Sequence, residues 1–166
     1  MPISLYAASV PVFVRMLNNV LGLMDKAEAY ANERKFDVDN FVGMRLAPDM
    51  NPFAFQIQSA TDRAKLFVAR VAGKEAPKWA DDEKTFDDLR GRIRKALDYL
   101  ASYAESEFDG ADTKMVTLKI RGQDTPTSGE DYLLNIMYPN FYFHCTTAYD
   151  ILRHGGVPIG KRDFVG

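Results

Sequence analysis

Cysteine is nearly absent from this chain. Cys145 is the single one, so no internal disulfide can form, and a reducing, cytoplasmic setting is expected. Histidine occurs twice, so any metal site would have to lean on carboxylates or amides for most of its ligands. Basic residues are not in excess: the net charge is −2, the pI is about 5.7, and Lys and Arg are scattered. Without a basic stripe to displace counterions, nucleic-acid binding is not expected. No run of about 18 consecutive apolar residues occurs, and the opening Met-Pro-Ile-Ser-Leu-Tyr has no basic start or small-residue cleavage site, so neither a membrane span nor a signal segment is expected. Phosphate-binding glycine loops, a Gly-x-Ser-x-Gly elbow, Cys-x-x-Cys and His-Glu-x-x-His are all missing.

What is present reads as one globular domain over residues 1–166, with 46% apolar and 27% charged residues. Ser4 is a cap for a long first helix reaching Arg34 or Lys35, with Val10, Phe13, Leu17, Val20, Met24, Ala27 and Ala31 on its core face. Pro11 either kinks that helix or marks its start, with Ser9 as the cap. Met16, Leu21 and Leu23 broaden the apolar surface, which implies cover from two sides or from a second copy of the chain. Asn51 and Pro52 read as cap and first residue of a second helix ending at Ala72 and Gly73. Its face is Phe53, Ile57, Ala60, Ala64, Phe67, Val68 and Val71, with Gln56 on the flank and Gln58 pointing away.

Residues 74–84 read as a loop in which Asp81-Asp82-Glu83 is a solvated turn. Thr85 and Asp88 form a capping box opening a third helix, carried by Phe86, Leu89, Ile93, Leu97, Leu100 and Ala104 to near Phe108. Met115–Ile120 alternates as a strand, which either pairs with residues around Gly122–Thr127 or lies along the bundle as an extended arm. Ser128 and Asp131 make a second capping box, and the fourth helix runs to about His154, bent at Pro139. The expected fold is all-α: an antiparallel four-helix bundle with a short β excursion between the third and fourth helices.

At about 100° per residue, Met137, Phe141, His144, Ala148 and Ile151 fall on one line of the fourth helix. An imidazole in an apolar stripe needs a hydrogen-bonding partner or a role in a site. Asn140 lies one turn earlier on the same side. Cys145, about 100° round from His144, cannot pair with it and reads as a buried, inert thiol.

The stretches Pro139–Phe164, Arg45-Leu-Ala-Pro-Asp-Met50, Gln56-Ile-Gln-Ser-Ala-Thr-Asp62 and Asp82-Glu-Lys-Thr-Phe86 resemble a family of uncharacterised bacterial and fungal proteins. That family is a domain of unknown function grouped with the DinB/YfiT-like metalloenzyme superfamily, and the resemblance covers essentially the whole chain. It implies a bundle holding a divalent metal on one histidine of the second helix and an H-x-x-x-H pair of the last long helix. The ending Leu152-Arg-His-Gly-Gly-Val157 sets His144 on the second histidine of that pair. Asn140 then stands at the first, and Gln56 or Gln58 lies in the second-helix region. No metal and no other cofactor are therefore expected.

Three functions follow as expectations. The first is a metal-free small-molecule pocket lined by His144, Asn140 and Gln56. The second is a non-catalytic homodimeric scaffold in which His144 and Asn140 glue the core. The third is a divalent-metal-dependent transferase or hydrolase using His144 with carboxylates. Neither a substrate nor a reaction is legible.

Overall fold

The computed structural model describes residues 3–120 and 122–166; the first two residues of the stretch read for a signal segment lie outside them. Ser4 opens α1 (Leu5–Arg34), its side-chain oxygen accepting from the Ala7 N–H at 3.1 Å. Pro11 sits inside this helix without ending it, so the earlier of the two starts is the one formed. The proline leaves the Ala7 carbonyl without its usual donor, and its exposed position lets water take that place. Ser9, the other candidate cap, is buried and bonds back to the Leu5 carbonyl at 2.6 Å.

Helix α2 (Phe53–Val71) begins one residue later than the sequence suggests, because Pro52 rather than Asn51 is its N-cap. The preceding loop caps it instead of a side chain. The Phe53 N–H donates to the Met44 carbonyl at 2.8 Å and the Ala54 N–H to the Val42 carbonyl at 3.1 Å. Helix α3 (Phe86–Ala101) opens on the expected capping box, with Thr85 Oγ1 accepting from the Asp88 N–H and the Asp88 carboxylate accepting from the Thr85 N–H. It ends at Ala101, short of Phe108. The chain folds back there into a 3₁₀ turn, Glu105–Phe108, held by edge-on contacts of Phe108 with Tyr6 and Tyr103.

Strands β1 (Met115–Ile120) and β2 (Gln123–Ser128) form the expected antiparallel hairpin. Ser128 then caps a short helix α4 (Gly129–Asp131) by accepting from the Asp131 N–H. Only half of the expected box forms, because the Asp131 carboxylate accepts from the Ser128 hydroxyl rather than from its backbone. The chain next winds as a π-helix over Tyr132–Met137 and continues as α5 (Tyr138–His154). The Tyr138 N–H reaches five residues back to the Leu133 carbonyl, so the ladder widens just before Pro139, which has no N–H to give. A last short helix, α6 (Lys161–Val165), lies against α1.

The four long helices surround one core, with α2 flanked by α3 and α5 and α1 closing the far side. Phe53 stacks on Phe86 and Thr61 meets Arg92, so α2 and α3 run in the same direction. Gln56 meets His144 and Arg70 meets Tyr132, so α2 and α5 run opposite ways. The all-α bundle is as expected, but its neighbours α2 and α3 are parallel rather than antiparallel, because segment 72–85 is long enough to travel back along the bundle. Phe13 of α1 sits at the centre, with Phe67, Tyr138 and Phe141 edge-on around it. By length and mean hydropathy alone α1 could cross a bilayer; here its buried face lies against α2, α3 and α5.

The return segment is tied down by Arg92, which is 2% exposed at its side chain. Its guanidinium donates to Thr61 Oγ1, the Ala80 carbonyl, Glu83 and Asp62, and it pairs with Asp81, while Trp79 lies against it. Asp81 and Glu83 are thus partners of a buried cation, not the solvated turn that their charge run suggests. A buried guanidinium left unpaired would be far costlier than an exposed acid.

Candidate functional site

Gln56 stands on the first turn of α2 and is 2% exposed. Its Nε2 donates to the Asn51 carbonyl at 2.9 Å. A carbonyl can only accept, so that contact fixes the amide orientation and turns Oε1 toward α5. There Oε1 lies 2.8 Å from His144 Nδ1, which must then carry the ring proton. The other nitrogen, Nε2, has no protein partner among the described residues and is not among the fully buried orphan atoms, so it keeps a solvent-reachable lone pair. Loss of hydration, aided by the nearby charge of Arg63, pushes the His144 ring down to about 4, so it is neutral at neutral pH. Phe55 and Phe143 stand edge-on to the imidazole, with centroids at 6.0 and 5.4 Å, and both are substantially exposed.

Of the residues singled out from the sequence, His144 and Gln56 are therefore brought together. Asn140 is on the same side of α5 but is not bonded to His144. Its Nδ2 donates to the Ile136 carbonyl at 3.1 Å, and its amide lines a neighbouring cleft. Gln58 points away from the core to Glu83. Cys145 is buried and its thiol is pushed upward by burial, consistent with an unreactive core residue.

The cleft beside Asn140 has a volume of about 150 Å³ and is bounded by Arg63 and Arg70 of α2, Leu118 and Lys119 of β1, and Tyr132, Ile136 and Met137. Arg70 donates to the Tyr132 hydroxyl at 2.8 Å. Burial raises the Tyr132 phenol above its ordinary value, against the pull of Arg70 and Arg63, so the phenol keeps its proton. Arg63 Nε is buried and has no hydrogen-bond partner among the described residues. These residues were missed in the sequence, although Gln56, Arg63 and Arg70 recur every seven positions and so share one stripe of α2. A larger surface depression, about 660 Å³, lies elsewhere, between residues 74–78 and Tyr99, Ser102 and Tyr103. Its tyrosines are paired with each other, and it lies away from the α2–α5 seam.

The helix order, the hairpin before the last long helix and the polar contact across α2 and α5 define a DinB-like helical protein. The crystal structure of a DinB family member protein from Shewanella denitrificans superposes with a TM-score of 0.92 at 42% identity, covering 98% of this chain and 92% of that one. The chain belongs to the family described as Domain of unknown function (DUF1993), whose model matches residues 5–165. No curated protein matches it.

Proposed function

We propose that this chain is a metal-independent member of the DinB-like fold that binds a small molecule on the α2–α5 seam, with His144, Gln56 and Asn140 at the site. The carrying observation is the fixed tautomer of His144: Gln56 occupies Nδ1 and leaves a neutral, accepting Nε2 on a ring that Phe55 and Phe143 flank. The divalent metal that the superfamily resemblance implies does not suit these residues. Among the described residues no three His, Cys, Asp or Glu groups converge, the Gln56 oxygen is already engaged, and the Arg63 charge opposes a cation beside the ring.

Metal analysis of untagged protein after incubation with zinc, nickel and ferrous iron tests the first half. Substoichiometric metal is expected; one ion per chain, lost in His144→Ala, overturns it. A fragment screen read on the His144 ring resonances tests the second half. Hits that move those resonances and are lost in His144→Ala are expected; a library that leaves the ring unmoved counts against the site.

A second reading, a dimerising scaffold, draws on the exposed apolar side chains Phe55, Leu134, Tyr142 and Phe143. Light scattering that shows a monomer at high concentration removes it.

A further inference from the structure

Among the cations of this protein, a buried set contrasts with one cluster that lines a cleft. The buried ones are neutralised: Arg90 pairs with Asp25 and Glu28, Arg92 with Asp62, Asp81 and Glu83, and Lys65 with Asp62. Arg63, Arg70 and Lys119 share one concave cleft, and none of them forms an ion pair with a carboxylate among the described residues. The nearest acid along α2, Asp62, is committed to Lys65 and Arg92. Asp124 stands opposite Lys119 in the hairpin register without reaching ion-pair distance.

Apart from the Asn140 Oδ1 acceptor, the unused side-chain hydrogen-bonding capacity of the cleft is of the donor kind. Arg63 Nε is a buried donor with no acceptor among the described residues, which costs free energy until something accepts from it. Tyr132 accepts from Arg70, and its own phenolic proton has no acceptor among the described residues. Asn140 uses its Nδ2 once, toward Ile136, which leaves a second N–H. Guanidinium groups, an ammonium and a retained phenol proton around one space are the chemistry that holds an oxyanion. Leu118 and Met137 in the wall, 4% and 2% exposed, exclude water from one side and strengthen those charges.

From this geometry we infer that the cleft between α2, β1 and the π-wound turn binds the carboxylate or phosphate group of a small anionic ligand. Arg63, Arg70 and Lys119 supply the charge, and Tyr132 and Asn140 supply directional donors. The inference rests on the proposed ligand-binding role of the same seam and names its ligand class. A cleft of about 150 Å³ accommodates an oxyanion and little more, so the remainder of the ligand lies outside it. Arg63 also lines the adjoining depression that contains Phe55, which gives the remainder a direction.

The test uses inorganic phosphate and citrate, titrated at constant ionic strength against a chloride control and followed by thermal unfolding and calorimetry. A ligand that binds only the folded chain raises the melting temperature with concentration. Either anion should do so in the wild type, and the one that does separates a phosphate ligand from a carboxylate one. Lys119→Gln, at an exposed position, and Arg63→Gln should each weaken binding about tenfold or more. Tyr132→Phe, which keeps the ring, should weaken it severalfold. No stabilisation by either anion up to about 10 mM overturns the inference, as does an equal response in all three variants. Binding that persists unchanged in His144→Ala supports the anion cleft while detaching the imidazole from it, so a failure of the wider reading is distinguishable from a failure of this one.

Discussion

His144 Nδ1 and Gln56 Oε1 meet at 2.8 Å although 88 positions separate them in the chain. The contact spans the seam between α2 and α5, and it decides the chemistry of the ring. A second hydrogen bond, from Gln56 to the Asn51 carbonyl, keeps the amide from turning over. Two polar groups that would each be costly alone are thus satisfied together.

Removing one partner should therefore cost more than the bond itself. Gln56→Leu leaves the His144 Nδ1–H buried without an acceptor, and a loss of about 1–3 kcal/mol is expected in urea denaturation. Gln56→Glu should act oppositely on the ring's acidity. A carboxylate beside Nδ1 favours the imidazolium, so an NMR titration of His144 should move up from about 4.

Acidification should weaken the fold through the same ring. The unfolded histidine titrates near 6.5 and the folded one near 4. Between these values the unfolded chain holds a proton that the native chain lacks, so stability falls as pH falls through that window and levels off below it. With one edge of the ring in solvent the total should be ~1–2 kcal/mol. Glu83, Asp88 and Asp163, held below their ordinary values by hydrogen bonds and ion pairs, add losses at lower pH as they protonate. His144→Gln should flatten the upper part of the profile and leave the lower part.

Arg92→Met should release the return segment rather than unfold the bundle around it. The substitution removes the hub that holds Ala80, Asp81 and Glu83 to α2 and α3, and leaves Asp62 with Lys65. Limited proteolysis should then cut within residues 74–84 under conditions in which the wild type resists. An unchanged digestion pattern would show that the loop is held by something else, Trp79 with Lys65 and Lys95 being the next candidates.

Gly129 is required for a steric reason. A Cβ at this position would lie 1.9 Å from the Ala111 carbonyl oxygen and 3.1 Å from Leu5. The Gly129 N–H also donates to the Lys114 carbonyl and the Glu130 N–H to that of Asp112, so the backbone cannot back away without breaking both. Gly129→Ala should cost about 2–4 kcal/mol in chemical denaturation, as overpacking against fixed backbone does.

Much of this architecture is legible in the amino acids because it depends on local pattern. The helix caps Ser4 and Thr85, the strand at Met115 and the inward line of His144 are written in spacing of two or three to four residues. The meeting of His144 with Gln56 is half legible, since His144 lies in one apolar stripe and Gln56 flanks another, yet only the opposite running of α2 and α5 joins them. The anion-binding group is hidden for the same reason. Arg63, Arg70, Lys119 and Tyr132 come from three elements, and scattered cations read as solvated surface until the fold gathers them with no ion pair among the described residues. The end of α3 at Ala101 escapes because Tyr103 and Phe108 continue a helical period while packing through a turn.

The π-wound turn before Pro139 also has a rotational effect. In a uniform α-helix, Tyr132 and His144 would project about 120° apart, one toward α2 and the other away from it. A wide turn takes up roughly one residue's worth of rotation, which brings the two to within about 20°. Phenol and imidazole thereby fall on one meridian of the last long helix, with Asn140 between them. A single irregular turn sets the azimuth of the candidate site.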